Sequence, residues 1–207
     1  MKQIFLALLA AWAIYNLWRV MRCAGNAIEV DAEAVTNVPV EAAFREYMKV
    51  REYYLDLSPG HRKYEIAGTS PTGDMIVDIW ETAGFQSVRH RYRIAELVEN
   101  RRMKLVSERS QVRVLGLFRG VTRSEAEFRF APLDEAHARL AITIRIVFPN
   151  RLRHFLARLF LTEEIWRSHA RQEMTALARI IEQRQATVTQ RRLPSGPSIG
   201  SRPGAAG

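Results

Sequence analysis

The chain has 207 residues, of which 47% are hydrophobic and 26% charged. That size and balance build one packed domain with tails, not a disordered chain or a multidomain enzyme. A single cysteine, Cys23, leaves no disulfide framework and no thiolate metal cluster, and a net charge of +9 points to an anionic neighbour, membrane surface or nucleic acid.

Residues 3–18, QIFLALLAAWAIYNLW, carry no charge; Lys2 precedes them and Arg19 and Arg22 close the run. At about 1.5 Å per residue they reach about 24 Å, short of a ~30 Å hydrocarbon core, with Trp12, Tyr15 and Trp18 suited to an interface. Three readings compete: an uncleaved membrane anchor, a cleaved signal peptide and a buried helix of a soluble protein. A signal peptide needs small residues at its cleavage site, and these occur only in Cys23-Ala24-Gly25-Asn26-Ala27, behind Arg19, Met21 and Arg22. The anchor is the favoured reading, with residues 1–26 as anchor and linker of a single-pass membrane protein. The charges at its two ends nearly balance, so only the many arginines of the domain bear on sidedness, and they lean towards the cytoplasm.

Residues 27–37 alternate, with Ile28, Val30, Ala32 and Ala34 on one side and Glu29, Asp31 and Glu33 on the other, the pattern of a half-buried strand. Pro39 then opens a helical stretch with Val40, Ala43, Phe44 and Tyr47 at helical spacing, and a second short helix follows to about Leu57. Ser58-Pro59-Gly60 is a turn. GDMIVDIWE places Met75, Val77, Ile79 and Glu81 on one face of a strand, and Thr82-Ala83-Gly84 reads as a hairpin turn. The next strand puts Val88, His90, Tyr92 and Ile94 inward and Arg89, Arg91 and Arg93 into solvent. Further strands are expected at about 102–110, around 124–130 and over 138–148, where Pro149 stops the last one. VLGLFRGV, between the first two of these, reads as a strand, a bulge or a mobile lid.

A helix-period pattern runs from Arg151 to about Arg184, long enough to require a break near Leu161-Thr162-Glu163, with Thr162 capping the second part. Beyond it, residues 186–207 are rich in Pro, Gly and Ser and read as a disordered tail, which leaves 27–185 as the domain. The expected fold is α+β: a curved antiparallel sheet of about six to seven strands, with the long C-terminal helix covering its apolar face. This order of elements resembles the helix-grip superfamily of START, polyketide cyclase and birch-pollen-allergen-like domains (SRPBCC). The resemblance implies a sheet wrapped on the C-terminal helix around an apolar cavity for a lipid, polyketide, quinone or aromatic molecule.

The polar residues that break the apolar faces are the candidate site. At about 100° per residue, Trp166, His169, Leu177 and Ile180 all lie within about 40° of Glu173 around the helix axis. His169 and Glu173 thus share an apolar face one turn apart, and a buried carboxylate is costly unless paired or bound to a metal. Glu81 continues the inward parity of its strand, while His61 follows a turn and has no pattern to fix its direction. Two imidazoles and two carboxylates without thiolate suit zinc or another divalent first-row ion. The segments LDLSPGHRKYEI, GDMIVDIWE and SHARQEMTAL resemble the zinc-dependent hydrolase branch of the helix-grip proteins, named for diacetylphloroglucinol hydrolase, which cleaves a carbon–carbon bond of an acylated phenol. That resemblance implies His61, Glu81, His169 and Glu173 as zinc ligands.

No Walker or dinucleotide phosphate loop and no G-x-S-x-G elbow occurs. The arginines alternate along strands or spread over a helix, without an RNA-recognition aromatic signature, so nucleic acid is not the expected partner. Arg151, Arg153, Arg158, Arg167 and Arg171 suit anionic headgroups instead. Two functions stay open. One is a membrane-anchored, metal-dependent hydrolase of a small hydrophobic or aromatic molecule, with His90 or Tyr92 as proton donor by strand parity. The other is a non-catalytic carrier of lipid, quinone or polyketide, whose cavity polar groups only orient the ligand.

Overall fold

The structure, a computed structural model, describes residues 2–23 and 25–192. It opens with helix α1 (Lys2–Arg22), then strand β1 (Ala27–Thr36), helix α2 (Val40–Tyr47), a 3-10 turn (Val50–Glu52) and the short helix α3 (Tyr54–Leu57). Six strands follow: β2 (His61–Thr69), β3 (Met75–Ala83), β4 (Gln86–Val98), β5 (Arg102–Val114), β6 (Phe118–Pro132) and β7 (Ala138–Val147). Helices α4 (Arg151–Leu159) and α5 (Thr162–Arg192) come last. The strands form one antiparallel sheet in the order β1-β7-β6-β5-β4-β3-β2, so β1 and β2 are its edges.

Alternation decides which face is buried. On β1, Ile28, Val30 and Ala32 are buried and Glu29, Asp31 and Glu33 exposed. On β4, Val88, His90 and Tyr92 point in, while Arg89, Arg91 and Arg93 face solvent and Arg91 forks onto Asp78 at 2.8 and 2.9 Å. Helix α5 lies along β1 and over the inner face, where Met174, Leu177 and Ile181 join Tyr47, Phe128 and Phe130 in the core. The centre of its buried face is Met174–Ile181, and Ile180, expected there, is only half-buried. Met75, expected on the buried face, is 45% exposed, because it starts β3 beside the exposed end of the edge strand β2.

Several boundaries differ from the expected ones. The β3–β4 turn is at Gly84-Phe85, one residue later than expected, with Gly84 at φ +53°. In VLGLFRGV the strand reading matches the pairing: β5 and β6 pair up to Val114 and Phe118, and Leu115 and Gly116 turn the hairpin at φ +54° and +70°. Helix α5 continues to Arg192, past the boundary expected at 185, so 186–192 are helical; the rest of the expected tail lies outside the described residues.

The break between α4 and α5 falls at Phe160-Leu161, where Leu161 takes φ +53°. Buried Gln86 holds it: its Nε2 donates to Phe160 O and Thr162 Oγ1 at 3.0 Å, and its Oε1 accepts from Trp166 Nε1 at 3.0 Å. Thr162 therefore serves as a partner of the sheet, not as the helix cap expected. Asn150 caps α4 by accepting from Arg153 N at 2.9 Å. In the first turn of α5, Glu163 accepts from Arg19 at 2.9 Å, from Arg167 at 2.6 Å and from Arg158. Arg158 is buried in this network beside His154, so it does not reach a headgroup layer as expected.

Helix α1 is longer than its uncharged run: 21 residues, about 31 Å, long and apolar enough to cross a membrane. Most of its apolar side chains are exposed, while Asn16 and Val20 near its end are buried where α1 meets α4.

Candidate functional site

The site forms where α3, the edge pair β2–β3 and the first turns of α5 converge on one end of the inner face. His61 begins β2 and stands directly opposite Glu81 of β3 in the antiparallel register. Residues in that relation project from the same face with Cβ atoms about 5 Å apart. The ladder slips between His61 and Lys63, so His61 keeps its inward direction although the rest of the edge strand, half-buried Tyr64 apart, is open to solvent. Helix α5 presents His169 and Glu173 from above, one turn apart.

Side-chain atoms of His61, Glu81 and His169 approach one another within 4.8 Å. Two carboxylate contacts frame the group: His169 Nε2 lies 3.9 Å from Glu81 Oε2, and His61 Nε2 lies 3.9 Å from Glu173 Oε2. These separations exceed hydrogen-bond range. Donors about 2.1 Å from a common ion sit about 3–4 Å apart, so the spacing leaves room for an ion between them. Both Nε2 atoms are buried and make no hydrogen bond. Two unpaired imidazole nitrogens beside two carboxylates are the donor set a divalent cation satisfies.

The surroundings fix each ligand. His61 Nδ1 lies 2.8 Å from the carbonyl of Tyr54, an acceptor only, so Nδ1 carries the proton and Nε2 offers its lone pair to the site. The Tyr54 ring stacks on His61 with centroids 4.0 Å apart, and its hydroxyl donates to Glu81 Oε1. His169 is held edge-on by Trp166 and by Ser58 Oγ, 3.5 Å from its Nδ1. Gly60 sits against this group: a Cβ there would lie 2.0 Å from Thr82 O and 3.2 Å from His169 Cε1. Tyr54, Ser58 and Gly60 escaped the sequence reading. Tyr54 lies in the second short helix, where no pattern singles it out, and the Ser-Pro-Gly turn marks a bend without saying what packs on it.

Burial and mutual repulsion set the charges. Glu173 is pushed well above the usual carboxylate range by burial and then by Glu81. Glu81 is also opposed by burial, but His61, His90, His169 and the Tyr54 hydroxyl outweigh it and hold its pKa below the usual value. Burial lowers His169, with Glu81 opposing and His61 adding. In the metal-free site the two carboxyls are thus driven apart: Glu81 is favoured ionised, and Glu173 resists giving up its proton.

Glu81 and Glu173 line a cavity of about 470 Å³ whose remaining wall is mainly apolar, including Ile79, Leu105, Phe128 and Trp166. His90 and Tyr92 share that wall, their rings stacked at 4.6 Å, and His90 Nδ1 meets Ser110 Oγ at 2.8 Å. Burial brings His90 down to about 4, so it is neutral at pH 7 and carries no extra proton to give; burial and the two carboxylates keep the Tyr92 hydroxyl protonated. Phe118, Leu152 and Leu156 line the cavity and are also exposed, which puts its mouth between the β5–β6 hairpin and α4.

A seven-stranded antiparallel sheet gripping a long C-terminal helix over an apolar cavity has counterparts among solved structures. TTHA0849 of Thermus thermophilus superimposes with a TM-score of 0.58 at 17% identity, over 74% of this chain and 96% of that one. The ZhuI aromatase/cyclase of Streptomyces sp. R1128 gives 0.53 at 15% identity, over 77% and 96%. A norcoclaurine synthase of Thalictrum flavum gives 0.51 at 11% identity, over 77% and 96%. This is the helix-grip fold. At these identities the likeness is one of fold, and it does not single out the zinc-hydrolase branch within the helix-grip proteins. No family model and no curated protein matches the sequence.

Proposed function

We propose that this chain is a membrane-anchored helix-grip protein that takes a small aromatic or hydrophobic molecule into its cavity and hydrolyses it at a zinc centre. One observation carries the reading: the unpaired Nε2 atoms of His61 and His169 lie buried, each 3.9 Å from a carboxylate, Glu173 and Glu81, that lines an apolar cavity. His61, Glu81, His169 and Glu173 would hold the ion, and it would offset the repulsion between the two carboxylates. Bound zinc supplies Lewis acidity that polarises a carbonyl and makes a water more acidic.

The chain's own residues do the rest. The apolar wall binds the ring and excludes water. Tyr92, protonated, donates a hydrogen bond to the acyl oxygen. Neutral His90 takes the proton of the water and returns it to the ring carbon. For an acylated phenol, water adds to the acyl carbon, the aryl–acyl carbon bond breaks, the ring carbon gains a proton, and a phenol and a carboxylic acid leave. An aromatase/cyclase and a norcoclaurine synthase among the solved structures share this fold, which agrees with an aromatic ligand for this cavity.

The full-length chain incubated with diacetylphloroglucinol is expected to release acetate. A chelator stops the reaction, zinc restores it, and Glu81→Gln abolishes it. A second reading, a carrier, draws on the apolar character of most of the cavity wall. It is the correct one if no acetate forms while organic extraction of the purified protein yields a bound lipid or quinone.

A further inference from the structure

The mouth of the cavity carries a cluster of exposed apolar side chains. At the tip of the β5–β6 hairpin, Leu115, Leu117 and Phe118 are 51%, 79% and 57% exposed. Across the mouth, Leu152 and Leu156 of α4, one turn apart on one helix face, are 66% and 42% exposed. Phe118 meets Phe160 with ring centroids 5.6 Å apart, so the hairpin and the end of α4 make one surface.

Its rim is basic. Arg113 and Arg119 are cross-strand partners and exposed, two residues behind the tip on one strand. At about 3.4 Å per residue they stand about 7 Å behind it. Arg151 and Arg153 flank Leu152 and are exposed as well. An interfacial apolar element sinks about 5–10 Å past the headgroups, so an apolar tip with arginines at that setback matches an acyl layer below a layer of phosphates.

Helix α1 brings this surface to a membrane. Its C-terminal end packs on α4, Arg19 bonds Glu163 at 2.9 Å, and Arg151 Nη1 lies 3.9 Å from Met21 Sδ. The helix therefore leaves the domain beside the mouth. We infer that the hairpin tip and the exposed face of α4 dock on the surface of an anionic bilayer, so that the cavity opens into the lipid and exchanges its ligand there without passage through water. This rests on α1 being a membrane anchor.

The experiment uses the full chain with Cys23→Ser, reconstituted into vesicles of phosphatidylcholine and phosphatidylglycerol that carry nitroxide-labelled acyl chains. A single cysteine bearing an environment-sensitive fluorophore is placed in turn at Leu9→Cys in α1, Leu117→Cys at the hairpin tip, and Glu135→Cys in the exposed β6–β7 turn at the far end of β6. The expected result is quenching at positions 9 and 117, by at least about twofold for a probe 5–10 Å deep, and none at 135. Quenching at 9 without quenching at 117 overturns the docking and leaves the anchor standing. A blue-shifted but unquenched probe at 117 means that a second copy covers the tip, and also overturns it. No quenching at 9 removes the anchor itself, and the docking with it.

Discussion

Replacing Gly60 with alanine puts a methyl group where the structure has no room for one. The new Cβ would lie 2.0 Å from the backbone oxygen of Thr82, where ordinary contact begins at 3.4 Å, so β2 and β3 must separate by more than a side-chain adjustment. Two hydrogen bonds hold them together at that point, from Thr82 N at 2.8 Å and Thr82 Oγ1 at 3.0 Å, both to Gly60 O. Losing them costs about 1 kcal/mol each, and overpacking a rigid site about 1–3 kcal/mol more. The sum of about 3–5 kcal/mol lowers the Tm by about 6–20 °C in a chain of this size. Because His61 follows Gly60 directly, the shift also moves a proposed ligand, and zinc affinity falls at least about tenfold. Gly25→Ala, with nothing within 4 Å of its Cβ, is the matched control and stays within about 0.5 kcal/mol of the parent. Thermal unfolding by circular dichroism and a competitive zinc titration on the three proteins measure both effects. A Gly60→Ala variant that melts with the parent and holds zinc equally well refutes the geometry.

Other changes separate the site's chemistry from its packing. Glu173 is pushed above its free value of 4.5 by burial and by Glu81, so the folded, metal-free chain holds that proton more tightly than the unfolded chain does. Stability from this group is complete below pH 4.5 and is lost as pH rises through the folded value. Metal-free Glu173→Gln therefore melts above the parent at pH 7 and level with it near pH 4, and added zinc reverses the order at pH 7; a variant less stable at both pH values without metal contradicts this. Tyr54→Phe removes the hydroxyl that orients Glu81 and weakens zinc binding by about 10–100-fold, measured by the same titration, with little change in Tm. For Glu163, burial is outweighed by Arg167, Arg158 and Arg19, and its pKa lies below the usual value. Its contribution is present above pH 4.5 and lost as pH falls through the lowered value. Glu163→Gln costs about 3 kcal/mol at pH 7 in denaturant unfolding and flattens that acid limb.

Which parts of this arrangement could be read from the residues follows from how local each signal is. The strand periods and the long helical pattern rest on side chains a few positions apart, and they place Glu81, His169 and Glu173 on the inner wall. His61 could not be aimed in this way: its direction depends on its pairing with Glu81 and on the slip that follows, a relation between segments about twenty residues apart. Tyr54 belongs to no local pattern, because its polar contacts, to Glu81 and to His61, are made by its two ends in different directions and to segments distant in the chain or past a turn. Gln86 carried no pattern at all, yet it holds the α4–α5 break. The extension of α5 to Arg192 was hidden because 186–192 have no apolar period. A helix already nucleated adds residues at little cost, so a polar continuation is stable without a face to bury.

The zinc centre is tested most directly by elemental analysis of the full-length chain purified in detergent without chelator. About one zinc per chain, absent from His169→Ala, is the expected content for a site of these four ligands. A chain that carries no zinc, and takes up none after incubation with excess zinc and dialysis, contradicts the metal centre and leaves the cavity as that of a carrier.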